Sequence, residues 1–157
     1  ILILGAEIAA TMLCEGKSSL IVKELREEKR IIESIDIDLQ ILEEGGLILL
    51  DVCCPQENLK IAESEINSIL RKLIRELVTN KDLERAKKLV INNIYFSLEL
   101  STQIALTLGN HALWGRHQSI LKSIDDISYW TTSRLNELIF PLFNPENAFT
   151  LIAEPEN

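Results

Sequence analysis

The sequence predicts an α+β fold, in which a mostly antiparallel sheet is covered by helices on one side. The clearest evidence is a β-hairpin. Residues 35–41 alternate apolar and polar side chains, which is the period of a half-buried strand, and a turn with two glycines leads into the apolar run 47–54. The segments before and after this hairpin have helical spacing, so we expect helices to pack on the sheet.

Two helices are predicted ahead of the hairpin. The first covers residues 1–14 and ends at Gly16, and the second covers residues 20–29 with Ser18 and Ser19 as its cap. The second strand of the hairpin is nearly all apolar, so it is predicted to be covered on both faces. Its end carries Cys53 and Cys54, whose side chains point to opposite faces, so one of the two should pack inside.

After the hairpin, residues 59–78 carry an apolar stripe at three- and four-residue spacing, which predicts an amphipathic helix capped by Asn58. Thr79 and Asp82 have the spacing of a helix start. One long helix is predicted from there, through residues 83–108, and it should pack along its whole run, most simply against the sheet.

The last part of the chain is predicted to be more irregular. Residues 119–124 suggest a short helix, and Asp125 and Asp126 begin a loop. Ser133 is expected to cap a helix that ends at Pro141, and the weak alternation in residues 148–153 predicts a closing strand.

Composition limits the possible functions. A chain of 157 residues with 46% hydrophobic residues suits a single domain, and a net charge of −8 argues against nucleic-acid binding. The apolar first 14 residues are too short to span a bilayer and contain Glu7, so no membrane contact is expected. Three cysteines without a metal or disulfide spacing favour a reducing compartment, either the cytoplasm or an organelle matrix.

Several short stretches resemble a known family. They are Gly16-Lys17-Ser18-Ser19 followed by residues 23–29, the helix start at residues 79–87, and Ser97-Leu98-Glu99, Leu108-Gly109 and Leu113-Trp114-Gly115 further along. Together they resemble the insulinase and pitrilysin superfamily of inverted-zincin metallopeptidases, peptidase family M16, which includes the mitochondrial processing peptidases. In this family two similar halves form a chamber, and the catalytic half carries H-x-x-E-H around zinc.

The resemblance implies the noncatalytic, C-terminal type of domain. The only histidines, His111 and His117, are six residues apart with no Glu between them, so we assign no catalytic, cofactor-binding or metal-ligating residue to this chain. Zinc is then expected in the partner half, and the partners are a catalytic half or homologous subunit and the peptide substrate of the complete enzyme. The parent protein is expected to be a zinc metalloendopeptidase. The alternative is an inactive scaffold or assembly module of the same family.

Two positions depart from the family pattern: Arg30 stands where Gly is usual, and Glu33 where Tyr is usual. Residues 1–157 are interpreted as one processing-peptidase-like domain and as a piece of a longer chain, because the family's strands before the first helix are absent. Unpaired sheet edges would then invite another chain. Candidate interface residues are Glu43 and Glu44 in the hairpin turn, and the aromatic residues Trp114, Tyr129 and Trp130, for which core filling is the alternative.

Overall fold

Two antiparallel strands and a set of helices make up the computed structural model, which describes residues 2–42, 45–113, 115, 119 and 121–154. The strands are β1, Ser34–Leu42, and β2, Gly45–Cys53. The helices are α1, Leu2–Cys14; a π-helix, Val22–Glu28; α2, Leu59–Arg75; α3, Asn80–Ser97; α4, Ser101–Leu113; α5, Lys122–Ile127; and α6, Thr132–Leu138. The predicted α+β class with an antiparallel hairpin is confirmed.

The predicted hairpin is present, and it has one unexpected surface. β1 pairs with β2 from Ser34 opposite Cys53 to Leu42 opposite Gly45. The predicted burial of β2 on both faces is wrong, because Leu47 and Leu49 on its outward face are 53% and 37% exposed. None of the described elements covers that face, so an apolar sequence alone does not bury the strand. Of the two cysteines, Cys53 is exposed and Cys54 packs against the core, as the alternation predicts.

Helix α1 is the centre of the core. Its residues Ile8, Ala9, Met12 and Leu13 are completely buried, since α3 packs along one side of the helix and β1 along another. The helix ends as predicted at Gly16, which has a φ of +81°, a conformation that glycine adopts without strain. The segment that follows forms the predicted second helix, with π-type bonding in which the Lys29 N–H donates to the Glu24 carbonyl at 2.9 Å.

A tryptophan from the far end of the chain closes the core over α1. Trp130 is completely buried, and its ring lies directly against Gly5. A Cβ at position 5 would overlap the Cη2 and Cζ2 atoms of this ring and lie 2.8 Å from Cδ1 of Ile139. The absent side chain of Gly5 therefore allows the close approach.

Helix α2 has the predicted amphipathic packing but a different start. Ala62, Ile66, Leu70 and Leu73 are buried on one face. The predicted Asn58 cap is wrong, because its side-chain amide donates instead to the Ile31 carbonyl at 3.1 Å, which ties the start of α2 to the entry of the hairpin. The helix ends at Arg75, three residues before the predicted end.

The prediction of one long helix over residues 83–108 is wrong. Thr79 caps α3 as expected, and its hydroxyl oxygen accepts from the Asp82 N–H at 3.2 Å. The helix stops at Ser97, whose hydroxyl donates to the Ile94 carbonyl at 2.7 Å, and the same carbonyl also accepts from the Leu98 N–H at 3.2 Å. A second helix, α4, begins at Ser101 and contains no buried residue, so the packing expected along the whole run extends only over α3.

The remaining predictions are partly correct. The short helix lies at α5, a few residues later than expected, and Asp125 and Asp126 belong to it. The cap of α6 is Thr131, whose hydroxyl oxygen accepts from the Arg134 N–H at 3.2 Å, and not Ser133. The predicted closing strand is wrong, because residues 148–153 form no ladder and Phe149 and Leu151 are 91% and 84% exposed. Within the described part of the chain, no helix combines the length and apolar character that a bilayer crossing requires.

Candidate functional site

A groove of about 540 Å³ runs between helix α1 and strand β1. The helix wall contributes Ile3, Glu7, Ala10, Thr11, Cys14, Glu15 and Gly16, and the strand contributes Asp36, Ile37, Asp38, Leu39 and Ile41. The floor of this α1–β1 groove is apolar, because Ile37 and Leu39 also pack against the core. The two walls are formed by elements that meet only through tertiary packing.

The α1–β1 groove is acidic. Four carboxylates line it, Glu7, Glu15, Asp36 and Asp38, and none of the described residues that line it is Lys or Arg. The pKa of Glu7 is raised, first by partial burial in the groove wall and second by the charge of Glu15. The ionised carboxylates of the groove repel one another. A positively charged group in the groove would attract them and so favour their ionised form.

Cys14 lies at the end of the helix wall and is a poor nucleophile. Burial, together with the negative charge of Asp36, raises the pKa of its thiol to about 12. The thiol therefore stays protonated at neutral pH, and the thiolate is the reactive form of cysteine. We interpret Cys14 as part of the groove lining and not as a catalytic group.

Strand β1 borders the α1–β1 groove with an unpaired edge. Among the described residues β1 pairs with β2 alone, so the backbone N–H and C=O groups on its other edge have no ladder partner. Such an edge can accept a further strand. The groove thus combines free backbone hydrogen-bonding groups, an apolar floor and acidic walls.

The helix wall of the groove is held by α3. The Arg85 guanidinium donates to the carbonyls of Glu15 at 2.9 Å and Met12 at 3.3 Å, which are unpaired at the end of α1. The Asn93 amide also donates to the Glu15 carboxylate at 3.3 Å. These bonds hold the end of α1 against α3.

A second surface with functional character lies on α3 and α4. Tyr95, Phe96 and Leu100 are 53%, 64% and 61% exposed, and Leu106 and Leu113 on α4 are 56% and 82% exposed. We call these five residues the α4 surface. Residues 100–115 include no Asp, Glu, Lys or Arg, although charged residues make up 25% of the chain. Exposed apolar surfaces of this kind usually mark interaction sites.

The structure separates the predicted interface residues. Trp130 is completely buried and fills the core, while Tyr129 is 38% exposed and packs its ring edge-on against Trp130 with ring centroids 5.4 Å apart. The Arg134 guanidinium covers the Tyr129 ring at 3.9 Å from its centroid. Glu43, Glu44 and Trp114 lie outside the described residues.

Metal ligation has no support in the described residues, which contain no group of three or more His, Cys, Asp or Glu able to hold an ion. His111 lies in the last turn of α4, and His117 lies outside the described residues. Helix α1 carries one charged residue, Glu7.

Sequence reasoning missed both surfaces, although some residues of each stand out in the sequence. Glu7 is the lone charge in an otherwise apolar helix, which marks the side of α1 that meets solvent. The absence of charge over residues 100–115 likewise marks α4 as a helix without a solvated polar face. The α1–β1 groove itself has no local signal, because its walls are brought together only by folding.

Arg30 provides a direct link between structure and the family pattern. The residue has a φ of +55° and is the only described non-glycine residue with a positive φ. Glycine is the residue that adopts this conformation without strain, and it is the residue that the family pattern places there. A glycine at position 30 would therefore adopt the observed backbone conformation without the strain that Arg30 carries.

Comparison with known proteins agrees with these observations. The model of the peptidase M16 inactive domain matches residues 3–90. The uncharacterized zinc protease YmxG of Bacillus subtilis (strain 168) is 25% identical over 141 residues, which cover 89% of this chain and 34% of YmxG. The chain thus spans about a third of the length of this curated relative.

Solved structures show the same fold. A protease from Helicobacter pylori has a TM-score of 0.75 at 20% identity, over 85% of this chain and 33% of that one. The peptidase M16 inactive domain from Pseudomonas fluorescens has a TM-score of 0.79 at 13% identity, over 88% and 34% of the two chains. An inactive peptidase domain from Bordetella parapertussis has a TM-score of 0.79 at 14% identity, over 98% and 84%.

The family match covers more than half of the chain, and it includes the core helix α1, the hairpin and the capped start of α3. The strained turn at Arg30 lies within the same matched range. On this evidence the chain belongs to the peptidase M16 inactive domain family.

Proposed function

We propose that this chain is the noncatalytic C-terminal domain of a zinc metallopeptidase of the insulinase and processing-peptidase type, in which it forms part of the peptide-binding chamber and docks the zinc-bearing half. The observation that carries the proposal is the match of residues 3–90 to the peptidase M16 inactive domain. The likeness to a zinc protease over 89% of the chain supports it. Zinc would then be held by the partner half and peptide hydrolysis would take place there.

The α4 surface supports the docking part of the proposal. A helix of 13 residues is marginal in water without tertiary packing, and α4 contains no buried residue in this chain. Its exposed leucines, Leu106 and Leu113, would be covered by a partner. Because the surface carries no charge, the partner surface that fits it is apolar as well.

Co-expression of this chain with a zinc-bearing half tests the proposal. The half would come from the upstream part of the same polypeptide or from a neighbouring gene, and it would be recognised by its H-x-x-E-H motif. We expect a stable complex in size-exclusion chromatography and zinc-dependent cleavage of a peptide that neither half cleaves alone. A chain that holds stoichiometric zinc and cleaves peptides without a partner would contradict the proposal.

A matched pair of variants assigns the interface. Leu106→Asp places a charge in the α4 surface and is expected to weaken the complex by at least about tenfold, since an unpaired buried charge is costly. Leu142→Asp is the control, because Leu142 is 57% exposed and lies outside the α4 surface. Equal effects of the two variants would exclude this surface. A complex that assembles but cleaves no peptide would favour the inactive scaffold module instead.

A further inference from the structure

The α4 surface has the properties of a contact between two copies of one chain. We propose that the free chain forms a two-fold symmetric dimer through this surface, with the α4 helices of the two copies packed against each other. The inference goes beyond the proposed function, because it concerns the chain without a zinc-bearing half. The same surface is assigned above to docking, so the two partners compete for it, and that competition alone rests on the proposed function.

The area of the α4 surface provides the first part of the argument. Its five residues are between 53% and 82% exposed. At residue areas on the order of 200 Å², these fractions leave about 600 Å² of largely apolar surface in contact with water. Two copies that cover each other there would remove about 1,200 Å² from water, which is the lower end of the range for specific protein interfaces. The surface is therefore large enough for a weak but specific dimer.

The shape of α4 makes this helix complementary to itself. A groove along it is lined by small residues, among them Ala105, Gly109 and Ala112, and by the larger side chains of Leu106 and Leu113. A Cβ at Gly109 would have no atom within 4 Å, so the groove is open at this point. Helices pack when the side-chain ridges of one enter the grooves of the other. One face of α4 has both features, as a contact between identical surfaces requires.

The charge distribution favours this surface for contact between two copies. The chain has a net charge of −8, so two copies repel each other. Residues 100–115 include no Asp, Glu, Lys or Arg, and two chains can therefore meet there without repulsion at short range. The remaining repulsion acts over longer distances and is screened by salt. The dimer is expected to become tighter as the ionic strength rises, whereas a contact made by ion pairs would become weaker.

The position of Leu106 within α4 gives the dimer a specific geometry. The helix has 13 residues and is about 20 Å long at about 1.5 Å per residue, and Leu106 lies close to its middle. When two such helices pack about a two-fold axis near their middle, residue 106 of one copy lies close to residue 106 of the other. A charge introduced at this position would thus meet the same charge in the second copy.

Sedimentation equilibrium of this chain tests the proposal. We expect a reversible equilibrium between monomer and dimer with a dissociation constant of roughly 1–100 μM, since the interface is small. The dissociation constant should fall when the salt concentration is raised from about 0.05 M to about 0.5 M, because screening reduces the repulsion between the two chains. A chain that stays monomeric at about 500 μM would overturn the proposal. A dimer that weakens with added salt would overturn it as well.

A pair of charge variants tests the two-fold contact itself. Leu106→Asp and Leu106→Lys should each raise the dissociation constant at least about tenfold, because each brings like charges together in an apolar interface. An equimolar mixture of the two variants should dimerise more tightly than either variant alone, because opposite charges then meet. Position 106 is 56% exposed, so neither charge enters the core, and both variants should keep the circular dichroism spectrum of the parent monomer.

The controls for these variants are Leu142→Asp and Leu142→Lys. Leu142 is 57% exposed and lies outside the α4 surface, so both controls should leave the dissociation constant unchanged within about twofold. A dimer that tolerates both charges at position 106 would be formed by another surface, and this result would overturn the proposal. A mixture no tighter than the single variants would overturn the two-fold arrangement.

The two proposals can fail separately. If the chain is monomeric but a zinc-bearing half docks and cleaves, the inference about the dimer is wrong and the proposed function stands. If the dimer forms with the expected dependence on position 106 but no zinc-bearing half docks, the α4 surface belongs to a second copy and the proposed function is wrong. When both associations are observed, the half should convert the dimer into a one-to-one complex. A dimer that persists in the complex would overturn the assignment of both partners to the α4 surface.

Discussion

The close approach of Trp130 to Gly5 leads to a sharp prediction about stability. Gly5→Ala adds a Cβ that would overlap the Cη2 and Cζ2 atoms of a completely buried ring and press on Cδ1 of Ile139 at 2.8 Å. We expect this variant to be less stable than the parent chain. In an exposed helix the same substitution would be favourable.

The expected magnitude follows from two opposing effects. Replacing glycine by alanine inside a helix stabilises by about 1 kcal/mol through backbone entropy. Overpacking of a well-packed core costs about 1–3 kcal/mol, and the upper part of this range applies because a completely buried indole has no free volume to move into. The net loss in the free energy of unfolding is therefore about 1–2 kcal/mol.

Urea denaturation followed by far-UV circular dichroism measures this difference. Gly109→Ala is the control, since Gly109 lies inside α4 and a Cβ there would have no atom within 4 Å. It should be neutral or stabilising by up to about 1 kcal/mol, so the same substitution should have opposite signs at the two positions.

A double-mutant cycle identifies the ring as the cause. Trp130→Phe removes part of the ring bulk, so Gly5→Ala should cost at least about 1 kcal/mol less in that background. The Nε1 of Trp130 has no hydrogen-bond partner in the described structure, so the replacement loses no such bond. A Gly5→Ala variant as stable as the parent chain would refute the reasoning.

Three further predictions concern the groove and the hairpin entry. Arg85→Met should destabilise by about 1–3 kcal/mol in urea denaturation, because it leaves the carbonyls at the end of α1 without a charged donor. Glu7→Gln should stabilise the chain near neutral pH and lose this advantage below the carboxyl's ordinary pKa of 4.5. The sign follows from the raised pKa, since the unfolded state ionises first as the pH rises and folding stability falls over that window. Arg30→Gly should stabilise by up to about 1 kcal/mol in thermal denaturation by relieving the positive φ.

Each of these predictions has a matched control. Arg71→Met removes an exposed arginine on α2 and should change stability by less than about 0.5 kcal/mol. Glu57→Gln should change stability at neutral pH by less than about 0.5 kcal/mol, because Glu57 is exposed outside the groove. Arg30→Ala keeps a Cβ in the strained conformation and should gain nothing. Matching results in a variant and its control would contradict the corresponding prediction.

Local patterns predicted the elements whose signals lie within a few residues. The alternation of Ile35, Ile37, Leu39 and Ile41 placed β1, and the spacing of Thr79 and Asp82 placed the start of α3. Both rest on contacts between near neighbours in the chain, so the sequence contains the complete signal. The resemblance to the peptidase family was carried by similar short stretches and is confirmed by the family match.

Sequence patterns gave wrong predictions where the structure of a segment depends on packing or pairing with a segment far away in the chain. The apolar period of residues 83–108 continues across the break between α3 and α4, so the pattern does not mark where the buried helix ends. The alternation in residues 148–153 is typical of a strand, but a strand requires a ladder partner and this segment has none among the described residues. Likewise, the apolar run of β2 lacks a second covering layer.

The hairpin, the capped start of α3 and the family of this protein could thus be predicted from its amino acids, because strand alternation, helix capping and short family motifs are local properties of the chain. The tertiary structure alone placed Trp130 against Gly5, opened the edge of β1 beside α1 and left α4 exposed. Burial and groove formation depend on which surfaces meet, and residues far apart in the sequence determine this. For that reason the α1–β1 groove emerged only from the folded chain.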